Sequence, residues 1–201
     1  MTGSFHVTTP AAPRLPHDRL LFRLADGREV RLNDPRRFSE IRVERLPAPG
    51  ADPATLAHLG PEPLSDAFTG EFLFALTRRR QTRIKTLLLD QNRLAGVGNI
   101  YASEALWRAR IRPNRRASAL TRAECAALAA GVRSVLTAAV EHGGTTIINF
   151  KTPDGIEGAY WKKLDVYDRS GQPCHRCGAG HPIRRTVLAG RSTFHCPHCQ
   201  R

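Results

Sequence analysis

The sequence predicts an α+β fold in three parts: a short β region, a helical middle and a small hairpin module bracketed by cysteines. Three observations carry that prediction. Up to about residue 46 the chain alternates between β-prone runs and turn signals, Asp26-Gly27 and Asp34-Pro35 among them. From Leu64 to His142 apolar residues recur at helical spacing. Near the end stand two CxxC pairs, Cys174–Cys177 and Cys196–Cys199, with eighteen residues between them.

In the β region, Leu20–Leu24 and Glu29–Leu32 are short β-prone runs joined by Ala25-Asp26-Gly27-Arg28, and Asp-Gly is a strong hairpin signal. Ser4–Thr8 and Phe38–Val43 are expected to add two further strands. So few strands cannot close a barrel or sandwich, and they would leave an apolar face and open edges. This region therefore reads as part of a larger β structure. Pro47 to Pro63 is a linker rich in Pro, Gly and Ala.

Helical patterning follows. Leu64, Phe68, Phe72 and Leu76 recur every four residues, the stripe of a core-facing helix, and Ile84–Leu89 is a short apolar helix. Thr121 to His142 is the clearest helix. Thr121 and Glu124 form a T-x-x-E capping box, Leu128, Val132, Val135 and Ala139 form its stripe, and Gly143-Gly144 stops it. Cys125 falls on that stripe and reads as a buried core thiol. Residues 151–166 read as a loop.

The paired CxxC motifs have the ligand spacing of a structural four-thiolate zinc site: Cys174, Cys177, Cys196 and Cys199. A CxxC on a tight turn points two sulfurs at one tetrahedral ion, and a hairpin brings the second pair back. Ile183–Leu188 and Arg191–His195 are the expected strands, turning at Ala189-Gly190. The alternative is two disulfides in a secreted domain. It is disfavoured because the first residues do not read as a signal peptide and the chain is otherwise cysteine-poor.

Lys and Arg total 31 against 18 Asp and Glu, a formal charge of +13 over 201 residues. The excess is concentrated: Arg78–Arg116 holds eleven basic residues and two acidic ones, and Lys162–Arg201 holds eight and two. A polyanion partner follows, with nucleic acid first among them. No apolar run approaches the roughly 18 residues of a membrane span, so no membrane partner is expected.

One stretch joins the charge to a shape. A helix is expected to end near Asp90, and Leu94-Ala95-Gly96-Val97-Gly98 makes tight turns suited to glycine. Asn99 then opens a new helix as its N-cap. Free N–H groups at such a terminus suit a phosphate, with Lys85 one turn before the loop and Arg78, Arg79 and Arg80 upstream. An ordinary helix–helix corner is the competing reading.

Lys85, the run Gly96–Glu104 (GVGNIYASE), Gly143-Gly144-Thr145-Thr146 and the CxxC pairs with Arg191-Ser192-Thr193-Phe194 together resemble the bacterial formamidopyrimidine-DNA glycosylase / endonuclease VIII family. Asn33-Asp34-Pro35-Arg36-Arg37-Phe38 and Leu59–Leu64 add to the resemblance, which runs the length of the chain. Asp154-Gly155, Gly158, Tyr160 and Leu164–Tyr167 resemble the formamidopyrimidine branch.

The resemblance implies four regions: 1–58, a remnant of the N-terminal β-sandwich catalytic domain; 59–150, a helix-two-turn-helix DNA-binding domain; 151–166, a lesion-recognition loop and linker; and 167–201, a zinc finger. It implies excision of oxidised purines and nicking of the abasic site, on double-stranded DNA, by a monomer in the bacterial cytoplasm and nucleoid. Lys85 and Asn99 would clamp phosphates. Arg191 would bind the phosphate beside the everted nucleotide and assist the second elimination. Arg36, Phe38 and Met1 resemble the wedge that fills the vacated stack, and His17, Arg37 and Arg80 resemble further DNA contacts. The loop Gly155–Tyr160 resembles the flap that closes on the flipped base.

One departure stands out. Family members begin with a proline whose amine attacks the deoxyribose C1′, followed by a glutamate acid/base. This chain begins Met1-Thr2-Gly3-Ser4-Phe5, and Met1 aligns with an internal methionine. The expectation is a longer glycosylase whose start was placed at that methionine, with a Pro-Glu start encoded upstream and these residues inactive alone. The alternative is a non-catalytic, zinc-dependent DNA-binding protein. A zinc-ribbon adaptor of transcription or translation finds no support in the helical region.

Overall fold

The computed structural model describes residues 3–46, 48–145 and 158–201. The chain divides into two compact units, Met1–Ala51 with Ala139–Lys163 and Asp52–Ala138 with Leu164–Arg201. The expected wedge residue Met1 and the flap from Gly155 to Glu157 lie outside the described residues.

In the first unit three antiparallel strands, β1 (Ser4–Thr8), β2 (Asp18–Arg23) and β3 (Glu29–Asn33), form a sheet of order β1-β3-β2. The Asp-Gly turn closes β2 on β3 as its sequence implies, with Gly27 at φ +85°. Two buried charges organise β3. Arg31 pairs with Glu29 at 3.0 Å, and its guanidinium donates to the carbonyls of Thr9, Ala12 and Pro13, fixing the loop after β1.

The expected strand Phe38–Val43 does not form. The Asp34 carboxylate accepts from the backbone N–H of Arg36, Arg37 and Ser39, a local turn that competes with strand pairing. Arg37 takes φ +58°, and the segment leaves the sheet with Val43 97% exposed. The same unit contains the end of the long helix, where Gly143 and Gly144 both take positive φ. Gly158 packs so tightly on this stop that a Cβ there would lie 2.3 Å from the Gly144 carbonyl oxygen.

In the second unit the helices are α1 (Gly70–Thr77), α2 (Ile84–Leu88), α3 (Asn99–Arg108) and α4 (Arg122–Glu141), the last running on into the first unit. The stripe from Leu64 to Leu76 is not one helix. Thr69 caps α1 by accepting from the Phe72 N–H, so the helix starts later than the stripe. The Arg133 guanidinium binds the carbonyls of Leu64, Ser65 and Phe68, holding that segment as a loop. Leu73 and Thr77 form the buried face of α1, while Leu64 is exposed.

The capping box at α4 forms in both directions, Thr121 N–H to the Glu124 carboxylate at 2.8 Å and Glu124 N–H to the Thr121 hydroxyl at 3.2 Å. Cys125, Leu128, Val132 and Val135 are buried along its stripe. By length and composition α4 would suit a membrane span, contrary to the expectation of no such run. Its many alanines raise the hydropathy, while Leu128, Val132 and Val135 serve as core and Val140 is exposed.

The C-terminal module pairs β4 (Pro173–Cys174) with β5 (Gly178–Pro182) and β6 (Arg184–Leu188) with β7 (Arg191–His195). Ala189 and Gly190, at φ +48° and +73°, make the tight hairpin turn that matches strand twist. Trp107 of α3 lies in the module's own core with Val166, Cys174, Ile183, Phe194 and Cys196. The zinc module and the helical body therefore share one apolar cluster.

Candidate nucleic-acid interface and metal centre

The four cysteine sulfurs lie within 4.8 Å of one another, with Cys174–Cys199 at 4.0 Å and Cys177–Cys196 at 3.8 Å. A tetrahedron with Zn–S bonds of about 2.3 Å has edges of about 3.8 Å, so the cage fits one zinc ion. Burial and the neighbouring thiols push Cys199 up to about 12, a crowding that a bound dication would relieve. Cys174 is also buried, but the indole N–H of Trp107 and the backbone N–H groups of Arg176 and Cys177 outweigh that and hold its thiol down to about 6.

A ring of donors surrounds the cage. Trp107 Nε1 donates to Cys174 Sγ at 3.4 Å, and Arg176 Nη1 donates to Cys199 Sγ at 3.6 Å. The Arg176 guanidinium lies 4.0 Å over the Trp107 ring and also donates to the Trp107 carbonyl at 2.9 Å. Such outer donors orient metal ligands and lower the charge density on sulfur. Glu104, one turn before Trp107, accepts from the backbone N–H of Asp165, Val166 and Tyr167 at 2.8 to 3.0 Å. Burial raises its carboxyl and those three donors oppose the rise. Their effect is to pin the entry of the zinc module to α3.

Sequence reasoning places Glu104 within a motif but assigns it no role, and it passes over Trp107 and Arg176. A signal is present for Glu104: an acid among Ala102, Ser103, Ala105 and Leu106 on a helix needs a buried partner.

Behind the hairpin, two of the expected site residues converge. Lys85 is 1% exposed, and its Nζ donates to the Ser192 carbonyl at 3.1 Å and the Thr193 hydroxyl at 2.8 Å. Asn99 Nδ2 donates to the same Ser192 carbonyl at 3.0 Å. Asn99 is not the N-cap; Gly98 is, in an extended conformation, and Asn99 begins α3 with its side chain turned to β7. The glycine at 96 does meet its expectation, with φ +74°. Burial, then the nearby charge of Arg191, lowers Lys85 to about 8, and among the described residues no carboxylate pairs with it.

In front, an open groove of about 720 Å³ is lined by Arg79, Arg80, Arg93 and Arg191, with Thr82 and Thr86 among its other lining residues. Among the described residues Asp90 is the one acid that lines it, and it faces Arg93 at 3.7 Å. The structure thus brings Arg80 and Arg191 together. Nε and Nη donors of several arginines around one groove suit a phosphate backbone.

The first unit holds the remaining expected contacts. Arg36 lies 5.1 Å over the Phe38 ring, and Phe38 is 75% exposed. The His17 carbonyl accepts from Asp34 N–H at 3.0 Å, and His17 Nδ1 lies 3.1 Å from the Arg19 guanidinium. His17, Arg36, Arg37 and Phe38 therefore gather around Asp34 at one end of the β2–β3 hairpin.

Helices that dock a four-thiolate hairpin, with arginines lining the groove beside its tip, define a zinc-finger DNA-binding protein. Residues 59–151 match the family model of the formamidopyrimidine-DNA glycosylase H2TH domain, residues 1–41 that of the glycosylase N-terminal domain, and residues 171–201 a zinc finger found in FPG and IleRS. A formamidopyrimidine-DNA glycosylase of Syntrophotalea carbinolica is 47% identical over all of this chain and 73% of its own length. One of a Roseiflexus species is 49% identical, again over the whole chain and 72% of its own length. Among solved structures, the MutM (Fpg) protein of Thermus thermophilus aligns with TM-score 0.83 at 41% identity, covering all of this chain and 73% of its own. The Lactococcus lactis Fpg in complex with abasic-site DNA aligns at 0.84 and 30%, covering 100% and 72%. The chain belongs to the formamidopyrimidine-DNA glycosylase family, and with its zinc-finger match its four clustered cysteines can bind one structural zinc ion.

Proposed function

We propose that these 201 residues grip damaged duplex DNA for the excision of oxidised purines, by glycosylase and abasic-site lyase chemistry, in the bacterial cytoplasm. The observation that carries this reading is Arg191 standing at the tip of a braced hairpin, in a groove it shares with Arg79, Arg80 and Arg93. Arg191 takes the phosphate beside the everted nucleotide and supports the second elimination. Lys85 and Asn99 act on that phosphate from behind, Lys85 through its charge and both by fixing Ser192.

In the first unit, Phe38 is the exposed wedge and Arg36, stacked on it, faces the orphaned base; Met1 would complete the wedge. His17 and Arg37 make flanking contacts. Zinc takes no part in bond breaking and serves to hold the hairpin. The terminal proline amine that the family resemblance implies as nucleophile is not among these residues. A polypeptide of these residues alone therefore forms no Schiff base; it is expected to bind as a monomer.

The test is an anisotropy titration of a zinc-loaded 201-residue polypeptide against abasic-site duplex, with borohydride trapping in parallel. Affinity should fall steeply and log-linearly with salt as counterions are released, and no covalent adduct should be trapped. Salt-insensitive binding overturns the phosphate grip, and a trapped adduct overturns the assignment of the nucleophile.

A further inference from the structure

The hairpin lines a second cavity, separate from the groove around Arg191. It measures about 320 Å³ and is lined by Arg112, Pro113 and Asn114 from the loop after α3, and by Arg184, Thr193 and His195 among the β6–β7 residues. Strand register explains the grouping. Arg184 pairs with His195 and Thr186 with Thr193, so these side chains share one face of the hairpin.

Among the described residues, no acidic side chain lines this cavity. Arg112 is anchored at its wall, its Nη2 donating to the Pro197 carbonyl at 3.2 Å and its backbone N–H to the Arg201 carbonyl at 3.0 Å. Arg112 Nε is buried and has no hydrogen-bond partner among the described residues. The same holds for Nδ1 of His195, a residue only 8% exposed. Neither Arg112 nor Arg184 is paired with a carboxylate among the described residues. A buried donor left unpaired is costly, more so when charged, so the unpartnered Arg112 Nε–H at a cationic cavity, with the unpartnered His195 ring nitrogen on the same lining, marks a place where an acceptor belongs.

We propose that this cavity is a phosphate-binding subsite, with Arg112 and Arg184 as its two cationic arms and Asn114 and Thr186 as neutral donors. Phosphate suits it because tetrahedral oxygens can meet guanidinium groups arriving from the loop and from the strand at once. The phosphate belongs either to the backbone of bound duplex, beyond the one Arg191 holds, or to a free phosphorylated compound. Only the first of these rests on the function proposed above.

Arginine Nε–H resonances of the zinc-loaded chain, titrated with inorganic phosphate at ionic strength balanced by chloride, test the proposal. Arg112→Lys identifies the Arg112 signal by its loss. The signal should move saturably with phosphate and not with chloride, and Arg184→Ala should weaken the binding by about fivefold or more. Arg184 is exposed on its strand, and a spectrum otherwise like the parent's shows that the variant folds.

The duplex arm separates the two sources. If the occupant is backbone phosphate, Arg184→Ala also lowers the salt slope of duplex binding by about one. If it is a free compound, duplex binding is unchanged while phosphate binding is lost. A phosphate titration indistinguishable from chloride, or equal phosphate binding by parent and Arg184→Ala, overturns the subsite. Should duplex fail to bind while phosphate saturates the cavity, the proposed function falls and the subsite stands.

Discussion

Lys85 is charged, almost wholly buried and, among the described residues, held by a carbonyl and a hydroxyl of β7. Its depression from 10.5 to about 8 has a consequence for stability. Between those two pH values the unfolded chain still binds the proton and the folded chain does not, so stability rises with pH across that window. The shift corresponds to about 3 kcal/mol, as each unit is worth about 1.4 kcal/mol. Denaturant unfolding of the zinc-loaded protein and of Lys85→Met should show it: from about pH 7 to about pH 10.5 the parent gains about 3 kcal/mol relative to the variant. Parallel pH profiles would show that Lys85 is not buried as a charge. In the sequence Lys85 stands out, but as a residue facing phosphate. Periodicity over a five-residue helix cannot tell which side of α2 meets the hairpin, because that contact joins residues 107 positions apart.

At the scale of elements, β6–β7 shows what is legible in the sequence and what is not. The CxxC spacing and the Ala189-Gly190 turn locate the hairpin nearly to the residue, since ligand geometry and turn chemistry are local. Phe38–Val43 reads as a strand, yet its fate turns on the Asp34 carboxylate capturing three N–H groups, a bond set that no alternation pattern registers. The start of α1 escapes the apolar stripe because Arg133, 65 positions away, holds Phe68 outside the helix. The joint between α3 and the zinc module is equally invisible, for it consists of Trp107, Arg176 and Glu104 meeting segments distant in sequence. That joint carries its own prediction. Trp107→Phe keeps most of the packing and removes the N–H···S bond, so zinc transfer to a chromogenic chelator should quicken by about tenfold, within the range seen for outer-shell changes. An unchanged release rate would confine Trp107 to packing.

Over the whole molecule, the positive charge is not spread evenly but stands on the segments that build the groove around Arg191. Composition alone points to a polyanion, and family motifs point to DNA repair. Neither can show that the hairpin is fastened from three directions: by the cysteine cage, by Lys85 and Asn99, and by the shared core around Trp107. Fastening of that kind is what lets a single arginine hold one direction at little entropic cost. On the function proposed here, zinc serves DNA binding by aiming Arg191. A double cycle of Arg191→Ala with zinc removal, read as abasic-duplex affinity, measures that role directly. With zinc, the substitution should weaken binding by about tenfold, about 1.4 kcal/mol; after chelation it should change almost nothing further. An equal loss with and without zinc would contradict the claim, since Arg191 would then act without the brace.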